Sequence, residues 1–167
     1  VGRSKRILVV GGGITGLTAA LEARNTGYEA VLVEREAELG GWAAKLWKRV
    51  PDREPHAHPV DPGVAELIDA VKKDPGIKLY TRATVAETSG APGRFTATIT
   101  TESGSRVTEE VGAIVQATGF SLYDIARLPE LGGGESPNVV DQAGLEKLAR
   151  EAAAQGRPIR RPTDGGE

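Results

Sequence analysis

Residues 7–16, with the sequence ILVVGGGITG, predict a short buried strand that runs into a glycine turn and then into a helix. Gly11, Gly13 and Gly16 have the spacing G-x-G-x-x-G. The first glycine of this motif lets the chain turn sharply off the strand, the second lets the backbone approach a pyrophosphate, and the third lets the helix pack close to the strand. The helix N-terminus then directs its N–H groups at the phosphates. The stretch therefore predicts a site for the diphosphate of a dinucleotide.

The sequence that follows the glycine motif agrees with this interpretation. Residues 14–25 are compatible with a helix, and the apolar residues 30–33 predict a second strand that ends at Glu34. An acidic side chain at this distance from the motif can accept hydrogen bonds from a ribose 2′-hydroxyl. Because a carboxylate repels a 2′-phosphate, Glu34 favours an unphosphorylated adenosine ribose. The same acidic residue argues against the alternative, a glycine-rich turn in another kind of α/β protein.

Composition limits the classes of function. The 167 residues are enough for one domain with a sizeable core, and 21 basic against 23 acidic residues indicate no electrostatic footprint for nucleic acid. No apolar run is long enough for membrane insertion, and no signal-peptide pattern begins the sequence. The chain has no cysteine, which excludes a disulfide framework, a thiolate metal site and a cysteine-ligated iron–sulfur cluster within these residues. This composition agrees with a cytoplasmic location.

The region after Glu34 begins with two loops around a short helix. Residues 35–41 predict a loop that contains a pair of glycines, and residues 42–49 predict a short helix. Residues 50–63 contain four prolines and predict an irregular, exposed loop.

Residues 64–73 predict an amphipathic helix. Asp61 is the expected N-cap, and Pro62 is expected at the first helical position. The apolar face has residues three and four positions apart, which are Val64, Leu67, Ile68 and Val71.

Residues 77–111 predict an antiparallel β-meander in place of another strand–helix–strand unit. The segments alternate or are rich in β-branched residues, and glycine-containing turns separate them. The expected strands are residues 77–87, 94–101 and 107–111. Residues 112–116 then predict a buried strand that ends at the Ala-Thr-Gly triplet of residues 117–119.

Two domains follow from this order of elements. Residues 1–120 are expected to form a dinucleotide-binding domain, with a loop and helix inserted at residues 42–73 and the meander at residues 77–111. Residues 121–167 are expected to form a C-terminal extension of a loop, a helix over residues 141–155 and a linker. Residues expected on one face of that helix are Leu145, Leu148 and Ala152.

Three of these features together resemble the FAD-binding half of the pyridine nucleotide–disulfide oxidoreductase superfamily. They are the glycine motif, Glu34-Arg35 followed by Gly40-Gly41, and the Ala-Thr-Gly triplet after a meander. Within that superfamily the chain resembles the flavoprotein subunit of heterodisulfide reductase, as well as the similar subunits of the quinone-interacting membrane-bound oxidoreductase complex. The segments that carry this are VLVER at residues 31–35, LGGWAAKL at 39–46, ATGF at 117–120 with Tyr123-Asp124, and RPTDG at 161–165.

The resemblance implies an α/β fold, namely a Rossmann-like FAD-binding domain with a parallel sheet, helices on one face and an antiparallel β-meander. FAD would lie along the glycine loop, with Glu34 on the adenosine ribose, Arg35 along the adenine and a backbone group of Val85 at the adenine edge. Gly41 and Trp42 would lie near the pyrophosphate and the flavin. The complete set of expected FAD contacts is Gly11, Gly13, Ile14, Thr15, Gly16, Glu34, Arg35, Gly41, Trp42, Val85, Thr118 and Gly119.

The resemblance also implies electron transfer through FAD to the iron–sulfur subunits of a larger complex. Many family members carry cluster-ligating cysteines after the paired glycines, but residues 47–59 of this chain contain none. Family members continue into a second nucleotide-binding unit and a Gly-Asp motif, and this chain has no Gly-Asp dipeptide. We therefore expect an N-terminal fragment of a larger flavoprotein, inactive alone and with weak affinity for FAD or none.

Several side chains have two interpretations. Trp42 and Trp47 could shield a flavin ring, although aromatic residues more often serve in ordinary packing. His56 and His58 could hold a metal, but histidines in a proline-rich loop are usually solvated, so no metal site is expected. No arrangement of nucleophile and base is visible, so no side-chain catalyst is expected.

Two other functions remain open. An NAD-dependent dehydrogenase domain would need a parallel strand that follows Glu34 by way of a helix, and a catalytic residue further along, and neither is evident in the sequence. The same scaffold could also serve as an interaction module without a cofactor.

Overall fold

The computed structural model describes residues 3–166 and divides the chain into two compact units. The first comprises the residues through Ala44 together with Gly63–Gly119, and the second comprises Lys45–Pro62 together with the residues from Phe120 onward. The expected domains of residues 1–120 and 121–167 remain a prediction.

Seven strands and two α-helices form the described part of the first unit. In chain order they are β1 (Arg6–Val10), α1 (Ile14–Asn25), β2 (Glu29–Val33), α2 (Val64–Lys73), β3 (Ile77–Tyr80), β4 (Ala83–Ala91), β5 (Arg94–Thr101), β6 (Arg106–Val111) and β7 (Ala113–Gln116). The strands form a four-stranded sheet in the order β3-β2-β1-β7 and a three-stranded sheet in the order β4-β5-β6. All pairings in the first sheet are parallel, and those in the second are antiparallel.

Different elements pack on the two faces of the parallel sheet, as the resemblance implied. Alternate residues of β1 and β2 point to opposite faces because side chains in a strand alternate with a period of two. Val9 and Leu32 pack in one buried cluster with α1 and α2, whereas Leu8, Val31 and Val33 pack in a second cluster with the meander. The expected arrangement of helices on one face and a β-meander is therefore confirmed.

The expected single strand over residues 77–87 is wrong, because two strands occupy it. β3 adds to the parallel sheet next to β2, and β4 begins the meander. The break falls at Thr81 and Arg82, where Arg82 has a left-handed backbone conformation with a φ of 50°. This turn redirects the chain without a glycine or a proline, so the alternating pattern continues across it.

The expectation that no parallel strand follows Glu34 by way of a helix is also wrong. The chain runs from β2 through α2 into β3, and Val33 of β2 lies opposite Tyr80 of β3 in parallel register. The first unit therefore contains a complete strand–helix–strand–helix–strand series before the meander begins.

Two helix boundaries also differ from expectation. Residues 42–49 form only a single 3₁₀ turn, Ala43–Lys45, because so short a segment needs tertiary packing to remain helical. α2 has the predicted span, but its N-cap is Gly63 in a left-handed conformation with a φ of 72°, and not Asp61. Pro62 consequently precedes the helix and does not occupy its first position.

The second unit contains α3 (Gln142–Ala154) and two 3₁₀ turns, Ile125–Arg127 and Pro129–Leu131. Asp141 caps α3, since its carboxylate accepts a hydrogen bond of 2.7 Å from the Gly144 N–H. The buried face of α3 runs through Ala149 and Ala152. Leu145 lies one turn before Ala149 on the same side of the helix, as expected, but its side chain is 50% exposed.

A buried carboxylate connects the meander to the parallel sheet. Glu109 of β6 is 4% exposed and accepts a hydrogen bond of 2.6 Å from the Tyr80 hydroxyl. It also pairs with Lys78 at 2.7 Å and with Arg6 at 2.8 Å. Burial acts to raise the pKa of Glu109, but the hydrogen bonds from Lys78 and Tyr80 and the charges of Lys78 and Arg6 outweigh it, so the pKa lies below its usual value of 4.5.

Replacing Glu109 with Gln should destabilise the protein in a pH-dependent manner. Its lowered pKa means that the charged form stabilises the fold above a pH of about 4.5, and that this stabilisation is lost as the pH falls through the folded-state pKa. We expect Glu109→Gln to lower the free energy of unfolding at pH 7 by about 2 kcal/mol. The difference from wild type should shrink at lower pH. Urea unfolding at several pH values measures the loss of stability and its pH dependence. The control is Glu110→Gln, because Glu110 is the exposed neighbour of Glu109.

Candidate dinucleotide-binding site

Three loops of the first unit meet at one edge of the parallel sheet. Val10 of β1 lies opposite Val33 of β2 and Gln116 of β7, so these strands end at the same level. The glycine loop follows β1, Glu34 follows β2, and residues 117–119 follow β7. In open α/β sheets, ligands bind outside the carboxyl ends of the strands, which is the position of these loops.

Gly11 and Gly16 make close backbone contacts that a side chain would prevent. The Gly11 N–H donates a hydrogen bond of 2.8 Å to the Val33 carbonyl, and its φ of 107° lies in the region that favours glycine. A Cβ at Gly11 would overlap the Ala117 carbonyl, and a Cβ at Gly16 would overlap the Gly11 carbonyl. These contacts let the chain turn off β1 and bring α1 close to the turn.

Gly13 differs from these two glycines because its surroundings are open. It is the N-cap of α1 in an extended conformation, and a Cβ placed on it would meet none of the described atoms within 4 Å. Ile14 and Thr15 in the first turn are exposed. Among the described residues, no side chain caps this helix, so its N-terminal N–H groups can serve an anion.

Glu34 is buried beside the glycine loop, with 8% of its surface exposed. One carboxylate oxygen accepts a hydrogen bond of 2.5 Å from the Gly12 N–H, and the other accepts one of 2.8 Å from the Glu36 N–H. Its backbone N–H donates to the Tyr80 carbonyl at 2.8 Å, and its carbonyl accepts from the Ala83 N–H at 3.0 Å. Because a carboxylate can accept about four hydrogen bonds, Glu34 keeps capacity for the two hydroxyls of a ribose.

The paired glycines lie against the glycine loop. The Gly40 N–H donates a hydrogen bond of 2.7 Å to the Gly12 carbonyl. A Cβ at Gly41 would lie 3.0 Å from the Cα of Gly13. The half-buried Trp42 follows directly, so residues 40–42 form one wall beside the N-terminus of α1.

Sequence reasoning missed Gly12 and Gly40. A Cβ at Gly12 would collide with Leu39 and Glu34, and a Cβ at Gly40 would collide with Ala44. The run of three glycines and the glycine pair were the available signals, but the G-x-G-x-x-G spacing assigns no role to the position that Gly12 occupies.

The structure places the other predicted residues in different surroundings. Thr118 and Gly119 are exposed after β7, and the Thr118 Cα would lie 3.2 Å from a Cβ on Gly11. Arg35 is 74% exposed and pairs with Glu36 at 3.2 Å. Val85 packs its side chain against the buried cluster beneath the meander, which leaves only its backbone for a ligand.

The described residues of the second unit contribute no comparable cluster. His56 and His58 are exposed, and residues 3–166 contain no group of three His, Cys, Asp or Glu side chains that could hold a metal. Trp47 is exposed, and its backbone N–H donates a hydrogen bond of 2.6 Å to the Glu146 carboxylate. None of the helices in the described part of the chain has the length and hydrophobicity for a membrane crossing.

The first unit has a Rossmann-like fold, with a glycine loop, a helix N-terminus and an acidic residue at one edge of its parallel sheet. A sequence profile described as the NAD(P)-binding Rossmann-like domain matches residues 9–69. The L-proline dehydrogenase from P. horikoshii has the same fold, with a TM-score of 0.54 and 21% identity over 75% of this chain and 25% of that one. Thioredoxin reductase from Lactococcus lactis has a TM-score of 0.51 and 18% identity over 86% of this chain and 38% of that one.

The chain is similar in sequence to subunits of heterodisulfide reductase. An iron–sulfur subunit of the CoB–CoM heterodisulfide reductase of Methanopyrus kandleri is 28% identical over an alignment 235 positions long, which covers 96% of this chain and 35% of the relative. A heterodisulfide reductase-like protein of Archaeoglobus profundus is 39% identical over 92 residues, which cover 55% of this chain and 13% of the relative. These findings confirm the predicted resemblance to heterodisulfide reductase. The chain spans about a third of the length of the relatives that it matches along nearly all its residues.

Alanine substitutions at Gly16 and Gly13 should differ in their cost to stability. Gly16→Ala places a Cβ onto the fixed Gly11 carbonyl, so we expect it to lower the free energy of unfolding by about 2 kcal/mol or more. Gly13→Ala adds a methyl group in open space at an extended backbone position. It should lower the free energy of unfolding by less than about 1 kcal/mol, a loss that reflects the weaker N-cap preference of alanine. Thermal and urea unfolding of the two variants measure the contrast, and equal losses would contradict it.

Proposed function

We propose that the first unit binds FAD and is the flavin-binding domain of an oxidoreductase of the heterodisulfide reductase type. The buried Glu34 carboxylate beside the glycine loop carries this proposal, because it is aligned with the N-terminus of α1 at the same sheet edge. Bound FAD would supply the ring that accepts and releases electrons, while the protein supplies binding, orientation and electrostatics.

Each expected contact has a physical role in this proposal. Backbone N–H groups at the start of α1 would bind the FAD pyrophosphate, and the open space at Gly13 would admit it. Glu34 would accept hydrogen bonds from the adenosine ribose, and the backbone of Val85 would meet the adenine edge. Residues proposed to border the cofactor besides these are Gly11, Ile14, Thr15, Gly16, Arg35, Gly41, Trp42, Thr118 and Gly119.

Electron transfer to iron–sulfur partner subunits in the cytoplasm is the functional part of the proposal. Support comes from the relatives, one of which is named as an iron–sulfur subunit of heterodisulfide reductase. The described residues offer no obvious nucleophile–base pair for a different kind of chemistry at this sheet edge, and the flavin would be the reacting group.

NAD is the second candidate ligand. The profile that matches residues 9–69 describes NAD(P)-binding domains, and the parallel strand β3 follows Glu34 by way of α2. Glu34 disfavours NADP, since its carboxylate lies where a 2′-phosphate would be. Parallel titrations with FAD and NAD therefore decide between two ligands that share the ADP moiety.

Replacing Glu34 should weaken FAD binding. Hydrogen bonds to a charged group contribute more than neutral ones, so we expect Glu34→Gln to raise the dissociation constant for FAD by about tenfold or more. Isothermal calorimetry on the purified chain measures it. The control is Glu38→Gln, because the Glu38 side chain lies exposed in the same loop and takes part in none of the described hydrogen bonds or ion pairs.

The outcomes of this titration separate the proposed ligands. FAD binding that Glu34→Gln weakens and Glu38→Gln does not would support the flavin site. Tighter binding of NAD than of FAD would favour the dehydrogenase alternative. If the folded chain and a longer form that includes the rest of the relatives' length both fail to bind either nucleotide, the proposal is wrong and the cofactor-free module is favoured.

Gly13→Ala should weaken binding strongly while the fold is retained. Its methyl group occupies space that no described protein atom uses but that the pyrophosphate needs, so we expect the FAD affinity to fall by at least about tenfold. Thr18→Ala on the exposed part of α1 is the control, and circular dichroism checks the fold. Unchanged affinity in Gly13→Ala would exclude a phosphate at this position.

A further inference from the structure

Glu109 is connected to the candidate site through the C-terminal end of β3. Its carboxylate contacts Lys78 and Tyr80, which are both on β3 and both on the side that faces the meander. Tyr80 is the last residue of β3, and its carbonyl accepts the backbone N–H of Glu34. A carboxylate on the meander therefore contacts the strand that holds the backbone of the predicted ribose-binding residue.

Residues 80–83 hold Glu34 from both sides. Its N–H donates to Tyr80 at 2.8 Å, and its carbonyl accepts from Ala83 at 3.0 Å. Between these two, the Arg82 N–H donates a hydrogen bond of 3.0 Å to the Glu36 carbonyl. This short segment thus fixes the backbone on both sides of the Glu34 side chain, whose carboxylate in turn holds the Gly12 N–H.

The segment that does this is itself strained. Arg82 has a φ of 50°, which L-amino acids other than glycine rarely adopt. Such a conformation persists only when surrounding contacts over-determine it. On one side of the turn the Arg82 guanidinium pairs with Glu102 at 3.2 Å, and on the other Glu109 holds Tyr80. Glu102 follows β5 and Glu109 lies in β6, so both contacts come from the meander, which supports the turn.

We propose that Glu109 is a positioning residue for the dinucleotide-binding site, because its contacts with Lys78 and Tyr80 fix the segment 80–83 that orients Glu34. The carboxylate lies beneath the sheet and contacts no part of the glycine loop among the described hydrogen bonds and ion pairs. Its effect on the loop passes through Tyr80, Glu34 and Gly12 in that order. The consequence for nucleotide affinity rests on the proposed function, whereas the consequence for loop order does not.

The test compares Glu109→Gln with its neighbour Glu110→Gln in the protein without nucleotide. Hydrogen exchange by NMR should show faster exchange of the Gly12 and Glu36 amides in Glu109→Gln by about three- to tenfold, because both donate to the Glu34 carboxylate. Glu110→Gln should leave them within about twofold. The core amide of Leu32 reports global opening and corrects for lost stability.

Tyr80→Phe provides a second variant if Glu109→Gln does not fold. It removes only the hydroxyl that donates to Glu109 and should accelerate the same two amides in the same direction. If the Gly12 and Glu36 amides exchange at the wild-type rate in the folded variants, while the unfolding midpoint falls, Glu109 serves stability alone and the inference is overturned.

FAD titration of the same proteins separates this inference from the proposed function. If wild type binds FAD, the dissociation constant should rise by about three- to tenfold in Glu109→Gln and stay within about twofold in Glu110→Gln. An unchanged constant would overturn the role of Glu109 at the site. If neither the chain nor the longer form that includes the rest of the relatives' length binds FAD but the two amides respond, the ligand assignment falls and the positioning of Glu34 by Glu109 stands.

Discussion

The hydrogen bond between the Gly12 N–H and the Glu34 carboxylate is the constraint on which the arrangement of the site depends. It joins a loop that follows β1 to a side chain that follows β2, two positions separated by 22 residues. It can form only because the parallel register brings the ends of these strands to the same level. A Cβ at position 12 would lie 2.6 Å from the Leu39 side chain and 3.0 Å from the Glu34 carboxylate, so the absence of a side chain at Gly12 leaves room for this contact.

The elements that pack on the two faces of the parallel sheet have different roles. The helix face supplies α1, whose N-terminus opens at the sheet edge beside Gly13. The meander face supplies charge, since Glu109 and Glu102 each pair with a residue at or near the end of β3. A buried ion pair is weak evidence of stability because desolvation offsets much of its attraction. Here its geometric effect is specific, because it fixes the strand end that holds Glu34.

Local sequence patterns predicted much of the fold. They failed where contacts between residues far apart in the sequence determine the structure. α1 and α2 have the predicted spans of residues 14–25 and 64–73, because apolar spacing and small residues identify a helix that packs on a sheet. The predicted strand over residues 77–87 is wrong, because alternation does not tell which sheet a strand joins. The turn at Arg82 contains no glycine or proline to mark it.

The candidate site divides in the same way. Gly11, Gly13 and Gly16 follow from their spacing, and Glu34 from its position at the end of a strand. The roles of Gly12, Gly40 and Glu109 could not be found, because they arise from contacts across the fold. A collision between a Cβ and Leu39, or an ion pair between β6 and β3, has no signature in the neighbouring sequence.

The geometry also identifies where ligand selectivity must arise. The proposed function assigns the glycine loop, the start of α1 and Glu34 to a diphosphate and a ribose, which belong to the ADP moiety that FAD and NAD share. Under the proposed function, these residues would therefore contribute equally to the binding of both candidates. Discrimination requires groups that contact the other end of the ligand, and the proposal assigns Gly41, Trp42 and Thr118 to the region beyond the glycine loop. Under the proposed function, the choice between flavin and nicotinamide consequently depends on these residues, while the glycine loop and Glu34 set the affinity for the ADP moiety itself.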